Sequence, residues 1–264
     1  MAHPYVGVTG VTTIQEVDDV IREFYNAGYN MDSFHLPMLG FLVSYKTLNG
    51  RETKNRRYPK FKNLRKLLFE TRNNVFTVIH YNSREMNTLA DQINTVFDGL
   101  YEDNLCNALQ LNIVWPYIRQ VELIKSKFQD MQIIFQLSKK ILEGSSVEEI
   151  VSRLHDYKGL IGHVLIDPSG GRGLKFNLSD SEMLYDTIKK KLPDLVVGFA
   201  GGFNGDNVYK RLKSLADERI RRTDFSIDAE GGLRDKLSQE YGDDLLNIKK
   251  VRKYLGNRSN GVIE

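Results

Sequence analysis

Residues 195–208 read Leu-Val-Val-Gly-Phe-Ala-Gly-Gly-Phe-Asn-Gly-Asp-Asn-Val, and residues 224–233 read Asp-Phe-Ser-Ile-Asp-Ala-Glu-Gly-Gly-Leu. Each stretch opens on a short apolar run of strand character and then turns through paired glycines. In the first, the turn leads into a helical stripe from about Asp206 to Leu215. A strand, a glycine turn and a helix make one βα unit, and two such units in succession predict parallel strands. Glycines after a strand also let backbone N–H groups approach an anion, which the following helix N-terminus favours.

The same alternation extends outward to both ends of the chain. Strands are predicted at Tyr5–Val11, Leu39–Tyr45, Val75–His80, Ala108–Val114, Met131–Leu137, Gly162–Asp167, Leu195–Ala200 and Asp224–Asp228. Between and after them lie amphipathic helices at Thr13–Ala27, Phe61–Phe69, Glu85–Tyr101, Pro116–Phe128, Val147–Tyr157, Ser179–Leu192, Asp206–Leu215 and Leu245–Leu255. Pro116 suits a first helical turn, and Ser179 with Glu182 reads as a capping box. Eight units close into a (β/α)8 barrel, a TIM barrel of the α/β class; a doubly wound open sheet is the alternative. The 264 residues match one such domain, spanning 1–264, with an extended basic loop at about 46–61. The stretch Lys46–Lys66 is read either as a solvated loop or as a lid that meets an anionic ligand.

Composition narrows the function classes. The chain holds 37 Lys plus Arg against 34 Asp plus Glu, a formal net charge of +3, too little for a polycationic nucleic-acid binder. Its one cysteine, Cys106, rules out an internal disulfide framework and suggests a reducing compartment. No apolar run reaches the ~20 residues of a membrane span, and residues 1–4 lack a signal-peptide pattern. The expectation is a cytoplasmic protein without membrane or nucleic-acid partners. The oligomeric state, monomer or homodimer, is left open. The five histidines (His3, His35, His80, His155 and His163) show no metal-ligand spacing, so neither a metal nor a cofactor is expected.

In a barrel of this kind chemistry sits at the carboxyl ends of the strands. Three of those ends are glycine-rich: Asp167-Pro-Ser-Gly-Gly-Arg-Gly-Leu-Lys-Phe, Ala200-Gly-Gly-Phe-Asn-Gly-Asp-Asn-Val and Ile227-Asp-Ala-Glu-Gly-Gly-Leu. Loops after the last two strands often bind phosphate, so a small phosphorylated substrate is expected. Tight βα turns are the plain alternative.

These stretches resemble the phosphoribosylanthranilate isomerase family. Its aspartate and glycine-rich loop after strand 6 correspond to Asp167, Gly170, Gly171, Gly173 and Phe176. Its AGGLxPxNV pattern at strand 7 corresponds to Ala200, Gly201, Gly202, Asn207 and Val208, and its DVSSGV at strand 8 to Asp228–Leu233. Gln110-Leu111-Asn112 is similar to its QLHG, Thr9-Gly10-Val11-Thr12 to its CGIT, and Gly40-Phe41-Leu42-Val43 to its GFxF. The resemblance touches six strands and is most specific over residues 163–233.

The resemblance implies an Amadori-type isomerisation of a phosphorylated sugar adduct, with Asp167 as general acid. Thr9 stands where the family has its cysteine base, and a threonine hydroxyl does not ionise near neutral pH. Cys106 lies before strand 4, at the opposite end of the barrel. Asp228, Glu230 and His80 are the other candidate bases; His80 has a suitable intrinsic pKa, although a lone histidine at a strand end is more often a structural residue, and Asp228 is equally read as an orienting one. Expected substrate contacts are Gly171, Gly173, Gly201, Gly202, Asn204, Gly231 and Gly232. Arg51 is expected near the substrate's aryl carboxylate, with Arg56 and Arg57 as alternatives. Lys46 is read as a solvent-facing loop lysine and Trp115 as packing at the rim. Two other functions stay open: a phosphosugar epimerase or lyase, and a non-catalytic phospholigand-binding homologue.

Overall fold

The computed structural model describes residues 2–169, 178–218 and 224–259. Eight parallel strands close into a barrel in sequential order: β1 (Tyr5–Thr9), β2 (Leu36–Ser44), β3 (Phe76–Asn82), β4 (Ala108–Leu111), β5 (Gln132–Ser138), β6 (His163–Asp167), β7 (Val196–Ala200) and β8 (Ser226–Ala229). Closure comes from β1 pairing with β8, where Gly7 is in register with Asp228. The expected (β/α)8 barrel is therefore the observed fold, as a single domain.

The helices alternate with the strands: α1 (Ile14–Asn26), α2 (Tyr45–Leu48), α3 (Leu64–Thr71), α4 (Leu89–Phe97), α5 (Ile118–Lys127), α6 (Lys139–Gly144), α7 (Val147–Asp156), α8 (Leu178–Lys191), α9 (Val208–Glu218) and α10 (Ile248–Ser259). Capping boxes start α1 at Thr13 with Glu16 and α7 at Ser146 with Glu149, each satisfying N–H groups that the first turn leaves open. Helix α8 begins at Leu178, which puts Ser179 inside the helix rather than at its cap. Among the described residues no helix is long and apolar enough to cross a membrane.

Strand residues alternate between two environments, as a pleat requires. Outward residues such as Val6, Val8, Leu39, Phe41, Ile133, Phe135, Val197 and Phe199 belong to the core between strands and helices. Inward residues form layers inside the barrel. An apolar cluster inside the barrel holds Tyr5, Met38, Phe76, Val78, Ala108, Ile134, Leu165 and Ala200, the last two reaching the floor of the cavity at the carboxyl ends. His163 packs there against Tyr5 and Phe76, with ring centroids 5.8 and 6.3 Å away. At the carboxyl ends the inward positions turn polar, and the site lies there.

The expected last helix at Leu245–Leu255 is corrected. Leu245 belongs to an antiparallel hairpin, β9 (Arg234–Lys236) with β10 (Asp244–Leu246), and the helix starts only at Ile248. The turn-forming residues Ser238, Gly242 and Asp243 between the two strands explain the hairpin. The basic loop is corrected as well. It is not simply solvated, because Arg57 is buried and the loop is clamped to this hairpin.

Candidate active site

A cavity of about 210 Å³ opens at the carboxyl ends of the strands. Its inward wall presents His80, Gln110, Gln136, Asp167, Asp228 and Glu230, and Tyr58 and Tyr241 close over it from the β2 loop and the hairpin. Among the described residues no Lys or Arg lines it.

Asp228 and Thr9 form one half of the inner ring. Thr9 Oγ1 donates to Asp228 at 2.9 and 3.2 Å from the two carboxylate oxygens. Burial drives the Asp228 carboxyl up to about 7; the neighbouring Glu230 and Asp167 add to the rise and the Thr9 hydroxyl opposes it. A carboxyl group that titrates near neutrality inside a cavity is suited to taking up and returning a proton.

Gln110, Gln136 and Asp167 form the other half. Ser169 donates its backbone N–H and its hydroxyl to Asp167 Oδ1, both at 2.9 Å. Gln136 donates to Asp167 Oδ2 at 2.6 Å, and Gln110 donates to Gln136 Oε1 at 3.1 Å. The chain of donors runs through β4, β5 and β6 toward a single carboxylate.

His80 completes the ring. Burial lowers its pKa to about 3, so the imidazole is neutral. A Cβ on Gly40 would stand 2.7 Å from His80 Nε2 and 2.4 Å from Thr9 Oγ1. Glycine at residue 40 leaves room over the strand for both side chains.

A second ionic layer holds the mouth. Arg57 donates to Asp244 at 2.6 and 3.0 Å and to Glu230 at 2.6 Å, and Arg234 donates to Asp244 at 2.6 Å. Arg57 also stacks on Tyr241, 4.7 Å from its ring centroid. Asp244 feels a rise from burial, but the two guanidinium groups hold it below the ordinary carboxylate range. Glu230 is raised, chiefly by burial, with Arg57 opposing. The β2 loop, β8 and the hairpin are thereby joined over the cavity.

The structure brings together Thr9, Asp167, Asp228, Gly201, Gly202 and Gly231 around or directly beneath this cavity. Gly201 and Gly202 take positive φ of 107 and 66°. Gly232 stands beside it, where a Cβ would be 2.1 Å from the Phe203 carbonyl oxygen; it lets the loops after β7 and β8 touch. Asn204 turns away from the cavity and accepts from the N–H groups of Asp206 and Asn207, capping the approach to α9. Arg51 is not brought to the cavity; it is exposed and lines a separate crevice with Thr47, Arg56 and Lys60, although Tyr58 borders both. Gly171 and Gly173, with Gly170 and Phe176, lie outside the described residues. Cys106 is buried below β4, and burial pushes its thiol up to about 12. Lys46 is exposed in α2, and Trp115 is buried, 5.3 Å from the Phe135 ring.

Sequence reasoning missed Gln136, Ser169, Tyr58 and Tyr241. Gln136 carried a signal: in Met-Gln-Ile-Ile-Phe-Gln-Leu it is a polar residue at an inward position near a strand's carboxyl end. The two tyrosines carried none, because they reach the cavity from loops.

No protein-family model matches the chain, and no curated protein matches it. Solved structures do resemble it. Phosphoribosyl anthranilate isomerase from Thermus thermophilus has a TM-score of 0.61 at 14% identity, over 97% of this chain and 98% of that one. Phosphoribosyl anthranilate isomerase from Thermotoga maritima has 0.59 at 17%, over 96% and 98%. A GH10 xylanase from Thermobacillus composti has 0.59 at 11%, over 97% and 96%. Likeness at such identities, spread over unrelated chemistries, establishes the (β/α)8 barrel fold and nothing finer.

Proposed function

We propose that this barrel is an isomerase acting on a phosphorylated sugar or sugar adduct by proton transfer between two carboxyl groups, Asp167 and Asp228. One observation carries this: both carboxyls face a single small cavity, and Asp228 is buried, held by Thr9, and titrates near neutrality. In this scheme Asp167 protonates the ring oxygen, the ring opens, and Asp228 removes the proton from C2. Thr9 is a positioning residue that orients the base instead of serving as one. The phosphate rests on backbone N–H groups of the loops at Gly201–Gly202 and Gly231–Gly232.

The test is turnover of phosphoribosylanthranilate and of simple aldose phosphates by the wild type, Asp228→Asn and Asp167→Asn. Turnover that drops ~10²–10⁴-fold in each variant supports the scheme. No turnover of any of them by the wild type overturns it. A second reading, an epimerase of unphosphorylated sugars, is favoured by the absence of Lys and Arg among the described lining residues. Turnover of free ketoses with no preference for their phosphates would select it.

A further inference from the structure

His80 on β3 and Gln110 on β4 are register partners. Both point into the barrel and both line the cavity. Each leaves one buried polar atom, His80 Nε2 and Gln110 Oε1, without a hydrogen-bond partner. A buried polar group left unpaired is costly, and neighbouring strands stand ~4.8 Å apart. Two such atoms on residues of adjacent strands that line one cavity are placed for something that enters it.

The neighbouring hydrogen bonds set what Gln110 offers. Gln136 turns its amide NH₂ toward Asp167 Oδ2. Its carbonyl then faces Gln110, which must present its own NH₂ there. The Gln110 carbonyl oxygen is left for the cavity, fixed as an acceptor by a carboxylate two strands away. A neutral imidazole carries one N–H, and the tautomer with its hydrogen on Nε2 supplies a donor to the same cavity. A donor next to an acceptor matches a hydroxyl group, which accepts from one and donates to the other. A phosphate oxygen would meet the carbonyl lone pairs and be repelled.

We propose that His80 and Gln110 form a specificity subsite for one sugar hydroxyl at the floor of the cavity, with the hydroxyl accepting from His80 Nε2 and donating to Gln110 Oε1. This rests on the central cavity being a sugar-phosphate site. In the proposed scheme Asp228 removes the proton from C2, and the hydroxyl on that carbon is the one assigned to this subsite.

The test is calorimetric binding of D-ribose 5-phosphate and 2-deoxy-D-ribose 5-phosphate to the wild type, His80→Phe and Gln110→Leu, with thermal melting of each. The expected wild type prefers the 2-hydroxylated sugar by at least ~10-fold, and each variant levels the two sugars while its Tm holds or rises. Should one variant fail to fold, the other reports the same ratio. Binding of both sugars with equal affinity by the wild type, or a preference retained in the variants, overturns the subsite and leaves the cavity a sugar-phosphate site. Binding of neither sugar by the wild type overturns the sugar-phosphate site and the subsite with it.

Discussion

Thr9 Oγ1 donates to both oxygens of Asp228 across the seam where the first and last barrel strands meet. The two residues are 219 positions apart in the chain. The bond favours the ionised carboxylate and so opposes the rise that burial imposes.

Thr9→Val removes that hydroxyl at nearly constant volume. Asp228 then loses a lowering influence, and its pKa moves up from about 7. The basic form becomes scarcer at neutral pH. The acid limb of the pH–rate profile should shift upward by ~0.5–1.5 units, with activity recovered at higher pH. An unmoved limb would show that Asp228 is not the group whose ionisation limits the rate.

Asp228 also links stability to pH. Its folded pKa, about 7, lies above its ordinary value of 3.8. Its contribution to stability is therefore full below the ordinary value and is lost as pH rises through the folded one. Asp228→Asn abolishes that loss. Urea titrations should show the variant gaining on the wild type between pH 4 and pH 8, by at most about 4 kcal/mol. Parallel curves across this range would contradict the raised pKa of buried Asp228.

Arg57 bridges Glu230 and Asp244 from a buried position. Arg57→Ala leaves two carboxylates with fewer partners, and Asp244 keeps Arg234. A loss of ~3–5 kcal/mol is expected, with proteolytic cleavage appearing in the 49–60 loop. Arg57→Lys should rescue little, because one ammonium cannot replace a fork that reaches both carboxylates. Wild-type resistance to protease in Arg57→Ala would mean that the clamp does not hold the loop.

Gly40→Ala pushes a methyl group against Thr9 Oγ1 and His80 Nε2. Both buried side chains must shift to admit it, and a cost of ~1–3 kcal/mol in chemical denaturation is expected. Gly144→Ala, where a Cβ meets nothing within 4 Å, serves as the contrast and should be neutral or stabilising by up to ~1 kcal/mol. Equal effects at the two positions would argue against the close approach at Gly40.

The barrel was legible because its signals are local. Apolar runs such as Val-Leu-Ile at 164–166 and helical stripes such as Val17, Val20 and Phe24 repeat at the periods their elements need. The carboxyl-end residues Asp167, Asp228 and Gly201 followed from that alternation, since barrel topology dictates which strand ends face the site. The hairpin at 234–246 was misread because Leu245 and Leu246 continue smoothly into the pattern of α10. The two strands are also tied by Arg234 donating to Asp244, a contact that periodicity does not carry.

By itself the sequence determined the number of βα units, their order, and therefore the closed barrel and the end of it that carries polar side chains. Tertiary structure alone decided the partners: Thr9 with Asp228, Arg57 with Asp244 at 187 positions' separation, and His80 beside Gln110. The physical reason is that periodicity and turn chemistry act over a few residues. The depth of a carboxyl group, the charge beside it and the atom left unpaired depend on closure, which brings distant strands into register.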